Sequence, residues 1–223
     1  MSLFVTGTDG GVGKTVVAAL VLARYARELP LAYWQPVATG ATDGRDRRTI
    51  EALVPGAVTA AEAYLFADSV SPHLAARREG LPIEPARVAA RLAELDAVLP
   101  GRGWIVEGAG GVLVPLDEAG TTLADLAALL RLPALLVARS SPGTVNHTLL
   151  SLEALARREV AVAGVVLCGA PAPEERDAIE RYGAVEVLAE VPRLPAVDAA
   201  IVAAAAAELD PAGALRPWLQ PAS

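Results

Sequence analysis

Lysine is almost missing from this chain: its cationic side chains are eighteen arginines and the single Lys14. Cysteine is equally scarce, and Cys168 has no second thiol with which to close an internal disulfide, so no disulfide framework holds the fold. Only two histidines, His73 and His147, are present for proton or metal chemistry. No uninterrupted apolar stretch is long enough to span a bilayer, and no leader peptide precedes the first apolar run, which together predict a cytoplasmic protein with no membrane partner. Positive charge is in deficit, with 19 Lys and Arg against 26 Asp and Glu, a net charge of -7 and a pI near 4.9. That balance excludes a phosphate-backbone surface, which needs clustered cations, so no nucleic-acid partner is expected. Internal repeats and disordered linkers are missing too, and only the last dozen residues, rich in Ala and Pro, are expected to fray.

What is present is core. With 223 residues, 53% of them hydrophobic, the chain can bury a substantial interior, and its length predicts one domain over residues 1–223. Apolar runs alternate with segments of helical spacing. Strands are predicted at Leu3 to Thr6, Ala32 to Val37, in "GWIVEGAGG" running into a glycine turn, and in "PALLVAR", "VAVAGVVLC" and "AVEVLAEVP". Helices are predicted at Thr15 to Glu28, stopped by Pro30, at Ser71 to Glu79, at Pro85 to Val98, and near Thr144 to Arg158, Pro173 to Tyr182 and Val197 to Leu209. The polar stretch "TGATDGRDRR" reads as a loop. Unalternating apolar strands are buried on both faces, so the fold class is α/β, a mostly parallel β-sheet with helices on both faces. In such a sheet ligands collect at the carboxyl ends of the strands. Three polar loops leave those ends: the glycine loop after the first strand, the loop after Val37, and the loop beginning at Glu107.

The segment Gly10-Gly11-Val12-Gly13-Lys14-Thr15 stands between a strand and a helix, where glycines let backbone N–H groups converge on phosphate oxygens and the helix start adds its dipole. A compact ammonium such as that of Lys14 can curl back over the loop, where a planar guanidinium fits less well. Thr8 stands where the common spacing has a glycine, so this is an atypical phosphate loop. It is similar to the deviant loop of the ATPase group that contains the partition and division-site ATPases, nitrogenase iron protein and several ATP-dependent synthetases. The partition and division-site members carry a signature lysine at the position of Asp9, which removes from this chain the switch in which that lysine crosses to a partner's nucleotide.

Five segments in order carry a more specific resemblance: "FVTGTDGGVGKT", "QPVATG" at 35–40, "SPHLAARREGLPIE" at 71–84, "VEGAGGVLVPL" at 106–116 and "GTVNHTLLSLEAL" at 143–155. Together they resemble the dethiobiotin synthetase family, which implies a P-loop NTPase fold, ATP and Mg2+ as cofactors, and a homodimer with substrate between subunits. The implied reaction joins CO2 to the two amines of 7,8-diaminononanoate and closes a ureido ring. Other readings are a nucleotide-operated binding switch and a related amide-forming synthetase.

The resemblance implies residue roles. Gly11, Val12, Gly13, Lys14, Thr15 and Val16 would hold the phosphates, with Lys14 also bridging to the carbamate. Thr15, Glu107 and Asp46 would hold the metal, with Asp43 the rival of Asp46 and Gly108, Ala109 and Gly110 approaching the ligands. Thr8 and Thr39 would contact substrate, as would Asn146, supplied with the rest of Gly143 to His147 by the partner subunit. Cys168 and Gly169, with Pro192, Arg193 and Leu194 in "VPRLP", would form the base site. Two positions depart from the family pattern. Gln35 replaces an active-site lysine, an uncharged amide for a cation, with Arg45, Arg47 or Arg48 the nearest substitutes. Cys168 replaces an asparagine that reads adenine, and a thiol is a weak hydrogen-bond partner. Plainer readings stand beside these: Glu107 as a cap of the glycine turn, Asp46 as a helix N-cap, the two histidines as structural, and Trp34 and Trp104 as core.

Overall fold

A computed structural model describes residues 2–40, 44–194 and 197–219. In chain order the elements are β1 (Leu3–Gly7), α1 (Lys14–Tyr25), β2 (Leu31–Trp34), β3 (Val37–Thr39), α2 (Arg45–Leu53), β4 (Val58–Ala60), β5 (Tyr64–Phe66), α3 (Pro72–Glu79), α4 (Pro85–Val98), β6 (Gly103–Gly111), α5 (Leu123–Leu129), β7 (Ala134–Ser140), α6 (Thr144–Ala156), β8 (Val162–Gly169), α7 (Pro173–Gly183), β9 (Val187–Val191), α8 (Ala199–Glu208) and α9 (Arg216–Leu219). Seven strands form one sheet in the order β4-β2-β6-β1-β7-β8-β9, and every pairing is parallel. Apolar clusters fill both faces. One joins Phe4, Trp34 and Trp104 to α4, α5 and α6; the other joins Leu3, Val5 and Tyr33 to α1, α2 and α8.

The strand expected over Ala32 to Val37 is split. Pro36 has no N–H for a ladder, and its carbonyl instead accepts from the N–H groups of Ala63 and Tyr64 at 2.9 and 3.0 Å. The chain therefore leaves the large sheet after Trp34 and forms a separate parallel pair, β3 with β5. That step carries Gln35 and Thr39 over the ends of β1 and β6. The expected loop over residues 39–48 becomes helical from Arg45, because Ile50 and Leu53 bury one face of α2. Helix α1 stops at Tyr25, short of Glu28. Its residues Val17 through Leu22 are all buried, since α1 lies between the sheet on one side and α2 and α8 on the other.

The expectation of a frayed tail is corrected for residues 212–219. Tyr25 donates from its hydroxyl to Asp210 at 2.5 Å, and Asp210 also accepts from the N–H groups of Ala214 and Leu215, both at 2.7 Å. Leu215 and Leu219 are buried against the α1 face. Residues 220–223 lie outside the described residues.

Candidate active site

The loop after β1 folds back on the strand that leads into it. A Cβ on Gly7 would stand 2.8 Å from Val12 Cγ2 and 2.9 Å from the Asp9 carbonyl oxygen, so only glycine permits that return. Gly13 caps α1 at φ 106°, a conformation that disfavours any side chain, with the Cys168 thiol 3.2 Å from where its Cβ would be. Outside the helix, the N–H groups of Gly11, Val12 and Gly13 have no hydrogen-bond partner among the described residues, which leaves three donors at a helix N-terminus for an anion. Lys14 curls back over the loop as expected: Nζ donates to the Asp9 carbonyl at 3.0 Å and the residue is buried. Burial lowers its pKa, against the opposing pull of Glu107, Asp46 and Asp9.

Facing this lysine is a cluster of oxygens. Glu107, on β6, is 2% exposed, accepts at Oε1 from the Thr15 hydroxyl at 2.8 Å and at Oε2 from the Tyr33 hydroxyl at 2.9 Å. It is therefore no cap of a glycine turn, since β6 continues as a strand through Gly111. Burial, then the Asp46 carboxylate, push its pKa up to about 7, although both hydroxyls and Lys14 favour the ionised form. Tyr33 is raised as well, by its own burial and by Glu107. Sequence reasoning missed Tyr33: its ring reads as core, and only the β2–β6 pairing, with Tyr33 opposite Ile105, brings the hydroxyl to Glu107.

Asp46 stands in the first turn of α2, and the N-cap of that helix is Gly44. Asp46 Oδ2 accepts from Gln35 Nε2 at 2.8 Å. Gln35 is 3% exposed, and its Oε1 has no partner. Asp43 lies outside the described residues. None of Arg45, Arg47 and Arg48 lines the cleft, and Arg47 turns instead to Glu51 and Glu62, each at 3.4 Å. Of the two outcomes open for the position of Gln35, an arginine in its place or slow catalysis, the lining of this cleft supplies no arginine.

Two clefts of about 660 Å³ each meet at Gly11, Gly13 and Val16. The first brings together Lys14, Thr15, Gln35, Thr39, Asp46 and Glu107, with Gly108, Ala109 and Gly110 along its wall. Ser69 and Ser71 add hydroxyls near Thr39 that the sequence did not single out. The second is lined by Val12, Cys168, Gly169, Pro192, Arg193 and Leu194, and by Arg139, also unforeseen; Pro195 lies outside the described residues. Burial pushes the Cys168 thiol up to about 12, which leaves it protonated and unreactive at neutral pH.

Thr8 and Asn146 are not brought into either cleft. With His147 and Leu150, Thr8 lines an adjoining groove of about 350 Å³ that shares Asp9 and Val114 with the first cleft, and Asn146 is exposed on α6. Neither histidine reaches Lys14 or Glu107. Trp34 and Trp104 are buried and donate to the Ala61 carbonyl at 3.0 Å and to Asp96 at 2.9 Å, as core residues do.

A family model described as an AAA domain matches residues 1–200. The ATP-dependent dethiobiotin synthetase BioD of Paramagnetospirillum magneticum is 44% identical over 201 residues, covering 90% of this chain and 92% of the relative. The chain belongs to the dethiobiotin synthetase family. A second relative, the ATP-dependent dethiobiotin synthetase BioD of Rhodopseudomonas palustris, is 42% identical over 208 residues and 92% of each chain. A ParA family ATPase from Chlorobium tepidum shares the fold alone with this dethiobiotin synthetase family member, at a TM-score of 0.54 and 14% identity over 92% of this chain and 97% of that one. No helix among the described residues is long and apolar enough to cross a membrane.

Proposed function

We propose that the chain is an ATP-dependent ligase that carboxylates 7,8-diaminononanoate and closes the ureido ring of dethiobiotin. The observation that carries this reading is the meeting of the two clefts at the glycine loop, one mostly apolar, the other crowded with oxygens around Lys14. A nucleotide laid across that junction would put its base in the apolar cleft and its terminal phosphate beside Lys14.

The chemistry needs an amine to add to CO2 and lose a proton, giving a carbamate. A carbamate oxygen then takes the γ-phosphoryl group from ATP and releases ADP. The second amine attacks the carbamate carbon, the C–O bond to phosphate breaks, and the ring closes. Phosphoryl transfer asks mainly for alignment and charge stabilisation. Lys14 supplies charge at the loop, and the free N–H groups of Gly11, Val12 and Gly13 supply donors. Thr39, Ser69 and Ser71 offer hydroxyls for the diamine and its carbamate in the same cleft as Lys14.

The donor set fits Mg2+. Thr15, Asp46 and Glu107 are hard oxygen donors, and no cluster of three or more His, Cys, Asp or Glu able to cage a metal occurs among the described residues. Mg2+ characteristically binds through one or two carboxylates plus substrate phosphates and waters. When bound it neutralises phosphate charge, and these three residues would hold it. The mutual proximity of the Asp46 and Glu107 carboxylates, which raises the Glu107 pKa, is relieved by a cation there.

The finer reading is a homodimer that brings Asn146 of one protomer to the other's substrate. Leu113 and Leu150 support it: they are 55% and 56% exposed and flank the groove that holds Thr8, Asp9 and His147, beside the phosphate loop. The test is phosphate release by the purified protein with Mg2+, ATP and bicarbonate, with and without the diamine, while dethiobiotin is followed by mass. Diamine-dependent release matched by product is the expected result; ATP binding with no diamine-dependent turnover would refute the reading.

A further inference from the structure

Arg139 stands one residue before the end of β7 beside the glycine loop, paired across the sheet with Cys168. Its guanidinium Nη2 donates to the Gly11 carbonyl at 3.1 Å and lies 3.4 Å from the Gly10 carbonyl. In a planar trans peptide the C=O and the N–H of the following residue point in opposite directions. The Gly10 carbonyl therefore fixes the direction of the Gly11 N–H, and the Gly11 carbonyl that of the Val12 N–H. Those two N–H groups have no partner among the described residues, and Gly11 lines both clefts. Drawing two consecutive carbonyls to one side turns two consecutive donors to the other.

Charge adds to the case. The cleft around Lys14 carries the carboxylates of Asp9, Asp46 and Glu107, and Gln35 brings no cation to it. Among the residues that line the two clefts, the cations are Lys14, Arg139 and Arg193, and Arg139 is the arginine bonded to the loop itself. Glycine at 10 and 11 leaves the loop without side chains to brace it, which is the service the Arg139 Nη2 group, in contact with both carbonyls, performs.

We propose that Arg139 is a positioning residue of the phosphate loop: it holds the Gly10 and Gly11 carbonyls so that the Gly11 and Val12 N–H groups meet the phosphates of a nucleoside di- or triphosphate. This rests on the glycine loop holding nucleotide phosphate, as in the reading above. The guanidinium is exposed, which places its effect at the low end of a charge-assisted hydrogen bond, about tenfold in affinity.

The test compares wild type, Arg139→Ala and Arg139→Lys by calorimetric binding of Mg2+-ATP, by competition with inorganic tripolyphosphate, and by the KM for the diamine. The expected result is about tenfold weaker binding of both ATP and tripolyphosphate in Arg139→Ala, partial recovery in Arg139→Lys, and an unchanged diamine KM. A merely structural residue would shift melting without that phosphate-selective pattern. ATP affinity within twofold of wild type in Arg139→Ala overturns the inference, as does loss for ATP with none for tripolyphosphate, which moves the guanidinium's role to the base side. Wild type that binds neither ATP nor tripolyphosphate refutes the nucleotide reading itself, and the inference falls with it.

Discussion

Glu107→Gln separates what the buried carboxyl costs the fold from what it does for ligands. In wild type the Glu107 carboxyl is raised from 4.5 to about 7, chiefly by burial and then by Asp46. Below pH of about 4.5 it is protonated in both folded and unfolded chains. Between there and about 7 the folded chain keeps a proton that the unfolded chain has released, so the stability present at low pH is lost as pH rises through the folded pKa. At about 1.4 kcal/mol per unit the loss by pH 8 comes to roughly 3 kcal/mol. Glutamine is neutral throughout, its Oε1 can still accept from Thr15 or Tyr33, and its Nε2 can donate to a rotated hydroxyl. Urea unfolding without nucleotide at pH 5 and pH 8 reads the difference. Relative to wild type, Glu107→Gln should gain roughly 2 to 3 kcal/mol more at pH 8 than at pH 5, while binding of Mg2+-ATP weakens. A stability difference between the two proteins that is the same at both pH values refutes the assignment of buried charge to Glu107.

Three further perturbations follow from the same geometry. Gln35→Lys restores a cation beside Asp46 and should raise turnover, toward the two to three decades that about 2.7–4 kcal/mol of transition-state stabilisation represents, less what Asp46 neutralises; unchanged kcat with intact folding would show that residue 35 does not face the reacting groups. Gly13→Ala puts a side chain at φ 106° against the Cys168 thiol, at a cost of about 1–3 kcal/mol in the loop, and should appear as a lowered melting temperature together with weaker nucleotide binding. Tyr25→Phe takes from Asp210 its hydroxyl donor and should lower unfolding free energy by about 1.5–3 kcal/mol with KM values unchanged, because the pair lies far from both clefts.

Local pattern carried much of the fold. The helices opening at Pro72, Pro85 and Pro173 were legible to within a residue because proline at the first turn marks its own position, and β7, β8 and β9 because strands buried on both faces are unbroken apolar runs. The three-residue strands β4 and β5 are too short to show any period, so they were invisible. The split at Pro36 was marked only by Gln35 and Pro36 themselves, which interrupt the apolar residues of Ala32 to Val37. Lys14, Thr15, Glu107 and Asp46 come together in one cleft because strand-to-helix connections at one sheet end converge whatever the strand order. Tyr33 and Arg139 could not be found that way. Each acts on a residue of a different strand or loop, Glu107 in one case and the Gly10 and Gly11 carbonyls in the other, and one tyrosine in a strand or one arginine among eighteen carries no local mark of its partner.

The burial of Lys14 has a practical corollary for chemical labelling. Acylating reagents attack free amines, and in this chain the only ε-amine to attack is curled back over the glycine loop with its proton affinity lowered by burial. Every covalent adduct on a lysine is thus an adduct at one address, and the extent of labelling at that one residue in a titration counts open sites directly. A chain that coats its surface with guanidinium instead of ammonium has, in effect, made its one ε-amine a reporter of a single place.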